Sequence, residues 1–348
     1  MRALTVAPGQ PGSARLDEVD EPPRQEGEIL VDGLAVGLCG TDAEIVAGHY
    51  GQAPPGQARL ILGHESLGRV REAPPASGFE PGDLVAGIVR RPDPVPCAAC
   101  AAGEWDMCRN GLYTERGIKA RPGFASERWR VEAAFAVRVD PRLEQVGMLL
   151  EPASVVAKAW EHIERIGRRA SWHPSRVLVT GAGPIGLLGA LLARQRGLEV
   201  HVLDRATTGP KPGLVARLGA AYHAGGVAEV ATASDIVLEC TGAASVVLEV
   251  MAHSAPGGVV CLTGVSSGGR EIAVDPGQLG RTLVLENDVI FGTVNANRRH
   301  WETAARALGG ADPEWLAALV TRREPLEHWE RALRRHPDDV KVVLEIDR

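Results

Sequence analysis

The chain has 348 residues, too many for one ordinary hydrophobic core, so its length predicts two domains. It is 45% hydrophobic but only 4% aromatic, with 41 glycines and 24 prolines, which suits a loop-rich α/β protein better than a helical bundle. A net charge of −6 without a long basic run argues against a nucleic-acid partner. No apolar stretch reaches membrane-spanning length, and MRALTVAPGQPG lacks the apolar run of a signal peptide, so a cytoplasmic location is expected.

Residues 1–150 read as short strands broken by glycine and proline. EILVDGLAV, LILGHESLGRV and DLVAGIV alternate apolar residues over short runs, the pattern of a β-rich, barrel-like domain. Over residues 153–169 the period changes, and Val155, Val156, Ala159, Trp160, Ile163 and Ile166 fall on one helical face. From residue 176 the pattern is strand–helix–strand: RVLVT, then GPIGLLGALLARQRG, then LEVHVLD. DIVLECTG, GGVVCLTG and DVIFGTV look like later strands. Apolar strands alternating with helices predict a doubly wound parallel sheet. HWETAARALG and LEHWERALRR read as helices. The final KVVLEI reads as a strand that returns to the first domain.

Gly181, Gly183 and Gly186 follow a strand and open a helix, the context of a dinucleotide-binding loop. The first glycine permits the tight turn, the second lets backbone approach a pyrophosphate, and the third lets helix and strand pack closely. A glycine turn with no cofactor is the plainer alternative. Asp204, ending LEVHVLD, can accept from a ribose 2′-hydroxyl and repel a 2′-phosphate, which favours NAD. Arg205 is placed to pair with a 2′-phosphate, which leaves NADP open, or it is a solvated surface charge.

The six cysteines are Cys39, Cys97, Cys100, Cys108, Cys240 and Cys261; the three clustered ones favour metal over disulfide in a reducing compartment. Cys39 lies in VGLCGTD, and His64 and Glu65 are adjacent in LGHESLG. Neighbouring side chains point apart, so Glu65 is either a metal ligand or a partner behind one. Glu151 in MLLEPAS is a third candidate, biased by Pro152 toward an extended conformation. Cysteine, histidine and carboxylate with one open position fit catalytic zinc. A buried cysteine and a satisfied core histidine are the bland alternative.

Several motifs in register carry a resemblance. They are Cys39-Gly40-Thr41-Asp42, the Gly-His-Glu-x-x-Gly-x-Val run at 63–70, Gly82-Asp83-Leu84-Val85 and the three loop glycines. Over nearly its whole length the chain resembles the medium-chain, zinc-dependent alcohol and polyol dehydrogenases. Arg90-Arg91-Pro92, Tyr113-Thr114-Glu115-Arg116-Gly117-Ile118, Leu150-Glu151-Pro152 and Val294-Asn295-Ala296-Asn297-Arg298-Arg299-His300 narrow the resemblance to archaeal-type glucose (aldose) 1-dehydrogenases.

That resemblance implies an α/β protein with a GroES-like catalytic domain at residues 1–170 and a doubly wound Rossmann domain at 171–294. Residues 295–348 would return to the first domain. It implies zinc held by Cys39, His64 and Glu151, with Glu65 or water completing the shell, and Thr41 against the reacting hydroxyl. Glu115 and His300, with Glu151 and Asn295 beside them, are assigned to the sugar, and Asn295 would lie near the nicotinamide. The cofactor residues are Gly181, Gly183, Pro184, Ile185, Gly186, Asp204, Arg205, Thr241 and Asn295. The expected reaction is oxidation of an aldose at C1 by NAD or NADP to an aldonolactone, with a cyclitol, aminocyclitol or other polyol as the alternative substrate. Family habit implies a homodimer or homotetramer.

Two departures stand out. Val89 replaces the asparagine that some relatives carry before the arginine pair, and Glu44 stands in the stretch where a proton-relaying histidine is often found, with His49 farther along. Without the resemblance, Glu115 would be a loop carboxylate paired with Arg116 or Lys119, and His300 a surface residue at a helix start. Many family members bind structural zinc through C-x2-C-x2-C-x7-C. Here Cys97, Cys100 and Cys108 match the last three positions, Pro94 occupies the first, and Asp93 is the candidate substitute. Three neutral thiols in a metal-free lobe are the alternative.

Overall fold

The computed structural model describes residues 1–265 and 272–346. The chain divides into two compact units, Met1–Ser154 with Asn295–Arg348, and Val155–Val294.

The first unit is built on the strand Glu28–Leu38, whose eleven residues serve three partners. One side pairs antiparallel with Glu65–Glu72. Arg128–Glu132 lies opposite residues 28–32, and Lys341–Glu345 lies opposite residues 35–38. KVVLEI therefore returns to the first unit as expected, at the strand that carries Cys39 at its end. Val320–Pro325 extends this sheet beyond Lys341–Glu345, and Leu84–Gly87 and Ala136–Arg138 extend it beyond Glu65–Glu72. Two three-stranded sheets complete the unit: one joins Arg15–Glu18, Arg2–Val6 and Leu60–Ile61, the other Arg90–Arg91, Thr114–Arg116 and Ala120–Arg121. The core is aliphatic, with Leu4, Ile29, Leu30, Leu60 and Leu62 buried and few large rings such as Phe124, Trp301 and Trp315.

Three local expectations need correction. LILGHESLGRV is two strands, Leu60–Ile61 and Glu65–Glu72, because the backbone at Gly63 turns through φ +87°. LEHWERALRR is a 3-10 turn at Leu326–His328 followed by only five helical residues, Trp329–Leu333. Buried Leu326 and Ala332 anchor it, and Pro337 soon after restrains helix extension. The third concerns Glu151. It is not extended: it lies in the first turn of the helix Leu150–Gly167. Proline is tolerated in a first turn, where its missing N–H has no intrahelical partner anyway.

In the second unit six parallel strands lie in the order Ala221–His223, Glu199–Leu203, Arg176–Thr180, Ile236–Glu239, Val259–Leu262 and Val289–Gly292. The sheet starts at its centre with Arg176–Thr180 and winds outward in both directions, the doubly wound order. Val177, Leu178 and Val179 are fully buried, as expected for a strand covered on both faces. Leu178, Leu203, Val227, Val237, Val250 and Val260 form one packed cluster on this sheet.

Candidate functional site

The antiparallel ladder explains how residues distant in sequence meet. Gly37 pairs with Glu65, and Leu38 pairs with Val342. Cys39, His64 and Lys341 therefore gather at one end of three neighbouring strands. Cys39 Sγ lies 3.1 Å from His64 Nε2. Donor atoms of Cys39, His64 and Glu65 all lie within 4.8 Å of one another. Cys39 also caps the helix Gly40–Val46, its sulfur accepting from the Thr41 backbone N–H at 3.3 Å. That places Thr41, half-buried, beside the thiol.

Behind His64 stands Asp42, fully buried, with Oδ1 3.4 Å from His64 Nδ1, while its Oδ2 accepts from the Cys39 N–H at 3.0 Å. Burial alone would lower the His64 pKa, but Cys39 and Asp42 outweigh it and hold it well above the ordinary histidine value. Behind Glu65 stands Lys341, whose Nζ meets both carboxylate oxygens, at 2.7 and 2.6 Å, and donates to the Leu38 carbonyl at 3.1 Å. Both residues are about 2% exposed or less. This ion pair crosses the surface of Gly37, where an added Cβ would stand 2.1 Å from Glu65 Oε2. Neither Asp42 nor Lys341 was assigned a role from sequence. Asp42 stood in the quoted motif, but Lys341 lies about 280 residues from Glu65 with no local signal.

Glu151 lies outside the 4.8 Å group of Cys39, His64 and Glu65. It is still close enough to feel them: burial pushes its carboxyl up to about 7, with His64 opposing and Glu65 adding to the rise. The cluster gathers four potential anions (Cys39, Asp42, Glu65, Glu151) around the Lys341 ammonium and His64, which Cys39 and Asp42 draw toward its charged form. A cation bound at Cys39 and His64 would take the place of those protons against the buried negative charge. A soft thiolate and an imidazole whose other nitrogen faces a carboxylate are the donor set of zinc, so these residues fit that metal.

Glu115 is buried and held by two side chains. Its Oε1 accepts from Arg90 Nε at 3.0 Å, Arg90 Nη2 at 2.9 Å and Asn295 Nδ2 at 2.8 Å. Its partner is thus Arg90, not Arg116 or Lys119, and Arg90 is itself stacked on Tyr113, 3.8 Å from the ring centre. Asn295, at φ +62°, serves as a positioner of Glu115 within the first unit. His300 is not a surface residue: it is 1% exposed, and its Nδ1 accepts from the Asn297 N–H at 3.1 Å in the N-terminal cap of the helix Arg298–Gly309.

Cys97, Cys100 and Cys108 come together with their sulfurs within 4.8 Å. Backbone N–H groups of Arg109 and Cys100 pull the Cys97 thiol down to about 6, whereas burial raises Cys100. Asp93 is outside that group of three: its Oδ1 accepts from the Val95 N–H at 2.8 Å. Its Oδ2 is buried without a hydrogen-bond partner.

In the second unit the glycines take distinct places. Gly181 has φ +91°, and a Cβ on Gly186 would stand 1.8 Å from the Gly181 carbonyl oxygen, so helix and turn can meet only without it. A Cβ on Gly183 would meet nothing within 4 Å, leaving open space at the start of the helix Pro184–Gln195. This is the cradle a pyrophosphate needs. Thr241 borders the turn, with Cγ2 2.9 Å from a Cβ built on Gly181, and its backbone N–H donates to buried Glu239 at 2.7 Å. Asp204 reaches the same loop, Oδ2 accepting from the Ala182 N–H at 2.7 Å. Arg205 is exposed.

Two family descriptions match the chain: "Glucose dehydrogenase C-terminus" over residues 144–346 and "Alcohol dehydrogenase GroES-like domain" over residues 25–141. The chain is 38% identical over 357 residues to glucose 1-dehydrogenase of Methanocella arvoryzae, and 40% identical over 354 residues to glucose 1-dehydrogenase 2 of Vulcanisaeta moutnovskia. Each comparison spans 99% of both chains. The solved structure of Haloferax mediterranei glucose dehydrogenase in complex with NADP, Zn and gluconolactone matches with a TM-score of 0.92 at 31% identity, covering 100% of both chains. With both units matched at these identities, the chain belongs to the medium-chain, zinc-dependent dehydrogenase family, in its glucose dehydrogenase group.

Proposed function

We propose that this chain is a zinc-dependent aldose 1-dehydrogenase that oxidises the C1 hydroxyl of a sugar such as D-glucose and reduces NAD(P). Bound zinc supplies a Lewis acid that lowers the pKa of the hydroxyl, and the nicotinamide takes the hydride as the aldose becomes an aldonolactone. The observation that carries the reading is the pairing of Cys39 Sγ with His64 Nε2 at 3.1 Å amid buried carboxylates. In this proposal Cys39, His64 and Glu151 hold the metal. Asp42 fixes the imidazole so that Nε2 is the coordinating nitrogen. Lys341 draws Glu65 back, leaving it as a charged support behind the ligands.

Thr41, beside the thiol, takes the proton of the reacting hydroxyl and passes it outward. Glu115, its Oε1 clamped by Arg90 and Asn295, offers its remaining oxygen to a ring hydroxyl, and His300 sits in the same Asn295–His300 segment. Cys97, Cys100 and Cys108, with Asp93 at hand, form a second, structural zinc site. Its support is the three convergent sulfurs and the partnerless Asp93 oxygen.

The chain assembles as a homo-oligomer through the edge of the second unit. In support, Val289–Gly292 is an edge strand, and nearby Val284, Leu285 and Val294 are large apolar residues left exposed. Among the described residues no helix is long and apolar enough to cross a membrane, and all six cysteines are free, which suits the reducing cytoplasm.

The test is metal content per chain together with NAD and NADP reduction on D-glucose, D-galactose, D-xylose and a cyclitol. Bound zinc and aldose turnover, both lost in Cys39→Ala, are expected. Turnover on the cyclitol alone would move the substrate and keep the chemistry. Activity unaffected by Cys39→Ala would overturn the reading.

A further inference from the structure

Glu115 and His300 stand in separate segments of the first unit, and one residue between them holds both. Asp106 lies in the 3-10 turn Trp105–Met107 and is 4% exposed. Its backbone carbonyl accepts from Arg90 Nη1 at 3.1 Å, while Nε and Nη2 of the same guanidinium donate to Glu115 Oε1. Its carboxylate Oδ1 accepts from Asn297 Nδ2 at 2.8 Å, a buried bond across 191 positions. An ionised carboxylate only accepts, so it fixes which end of the Asn297 amide faces it. The amide oxygen is left to cap the helix Arg298–Gly309, accepting from the Arg299 N–H at 3.2 Å. The Asn297 N–H donates to His300 Nδ1 at 3.1 Å, so a neutral His300 carries its proton on Nε2, as a donor.

The same turn serves the three convergent thiols. Cys108 closes it, its N–H donating to the Trp105 carbonyl at 3.2 Å, and the next N–H, that of Arg109, donates to Cys97 Sγ at 3.4 Å. Trp105 anchors the turn against Phe135, with ring centres 5.5 Å apart. A shift of the thiols therefore shifts Asp106, and a shift of Asp106 is felt by Arg90 and Asn297 together. A contiguous chain of buried hydrogen bonds and packed rings is a physical route by which one site biases another.

We propose that Asp106 is the positioning residue that ties the three-cysteine lobe to the sugar site: its carbonyl sets Glu115 through Arg90, and its carboxylate sets His300 through Asn297. A lobe closed around its zinc ion holds Asp106, and with it both sugar residues, in place before sugar arrives. The inference rests on the reading of Glu115 and His300 as sugar contacts and of the lobe as a zinc site. Asp106 acts through Arg90 and Asn297 and has no part in proton or hydride transfer.

The test combines steady-state kinetics on D-glucose with hydrogen exchange read by mass spectrometry, on the zinc-loaded full chain. The variants are Asp106→Ala, Asp106→Asn and Cys108→Ser, with Glu115→Gln as the reference. Asp106→Ala should raise KM for D-glucose about tenfold, with kcat and KM for the dinucleotide within about threefold. It should also speed exchange over residues 295–303 while residues 28–38 keep their wild-type protection. Asp106→Asn keeps an acceptor for Asn297 and the same backbone carbonyl, so its KM should stay within about threefold of wild type. Cys108→Ser leaves Asp106 in place; it should lose the lobe zinc and move sugar KM and exchange in the same sense as Asp106→Ala. An equal rise in both KM values, or equal loss of protection in both segments, would mean that Asp106 only supports the fold, and would overturn the inference. So would a Cys108→Ser chain with wild-type sugar KM and exchange, or a wild type that holds zinc at Cys39 alone. Unchanged KM for D-glucose in Glu115→Gln would sink the sugar-site reading itself. A raised KM there, beside an unaffected Asp106→Ala, would sink the coupling alone.

Discussion

Replacing Lys341 by methionine isolates the feature that the sequence hid best. Lys341 Nζ lies 2.6 Å from Glu65 Oε2, with both side chains essentially removed from water. Methionine keeps most of the volume and leaves the Glu65 carboxylate buried without the ammonium that meets both its oxygens. Breaking a buried pair from one side costs about 3–5 kcal/mol. Burial works against the charged lysine, but Glu65 and Cys39 outweigh it and raise the Lys341 pKa above 10.5. On the alkaline side, the contribution of the lysine charge is therefore intact up to its ordinary value and is lost as pH rises through the higher folded value. The assay is urea unfolding at pH 7 of EDTA-treated protein, followed by tryptophan fluorescence. Five of the seven tryptophans (Trp105, Trp129, Trp301, Trp315 and Trp329) lie in the first unit, so the signal reports mainly on it. Lys341→Met should lower stability by about 3–5 kcal/mol, and adding Glu65→Gln should restore at least about 2 kcal/mol of that. Zinc-loaded protein should lose less, because the metal supplies positive charge to the same cluster. A cost below about 1 kcal/mol for Lys341→Met, or strict additivity with Glu65→Gln, would refute the account of Lys341 as the counter-charge that lets Glu65 be buried.

Other consequences follow from the same geometry. Gly37→Ala places a methyl 2.1 Å from Glu65 Oε2, so it should displace the ion pair, destabilise the first unit by about 1–3 kcal/mol and lower zinc per chain, read by metal analysis. If Glu115 binds ring hydroxyls as proposed, Glu115→Gln should raise KM for D-glucose more than for a simple alcohol; equal effects on both substrates would remove it from the sugar site. In metal-free protein, alkylation of Cys97 by iodoacetamide should rise with pH to half its maximum near pH 6, where its thiol ionises, and zinc should suppress it; mass spectrometry of the modified peptide reads both.

The sequence by itself determined the two-unit plan, and it did so through periodicity. Apolar strands such as RVLVT and GGVVCLTG admit only a sheet covered on both faces, and they lie so. It also determined the glycine loop, because each glycine answers a steric demand within a few residues: the positive φ at Gly181, the missing room at Gly186 and the open approach at Gly183. Cys39 and His64 were legible as a pair only through their motifs, since no local rule brings residues 25 apart into contact.

Tertiary structure decided the rest. The register that sets Gly37 against Glu65 and Leu38 against Val342 makes Lys341 part of the site, and strand pairing between the two ends of a chain leaves no trace in local composition. Tertiary structure also assigned Glu115 to Arg90 and Asn295, where charge proximity in sequence suggested Arg116 or Lys119. The same holds for Asp204, whose acidity predicted an open ribose acceptor until Lys211 is seen against it. Short-range steric demands are written in neighbouring residues. The partner of a buried charge is set by whichever element the fold packs over it.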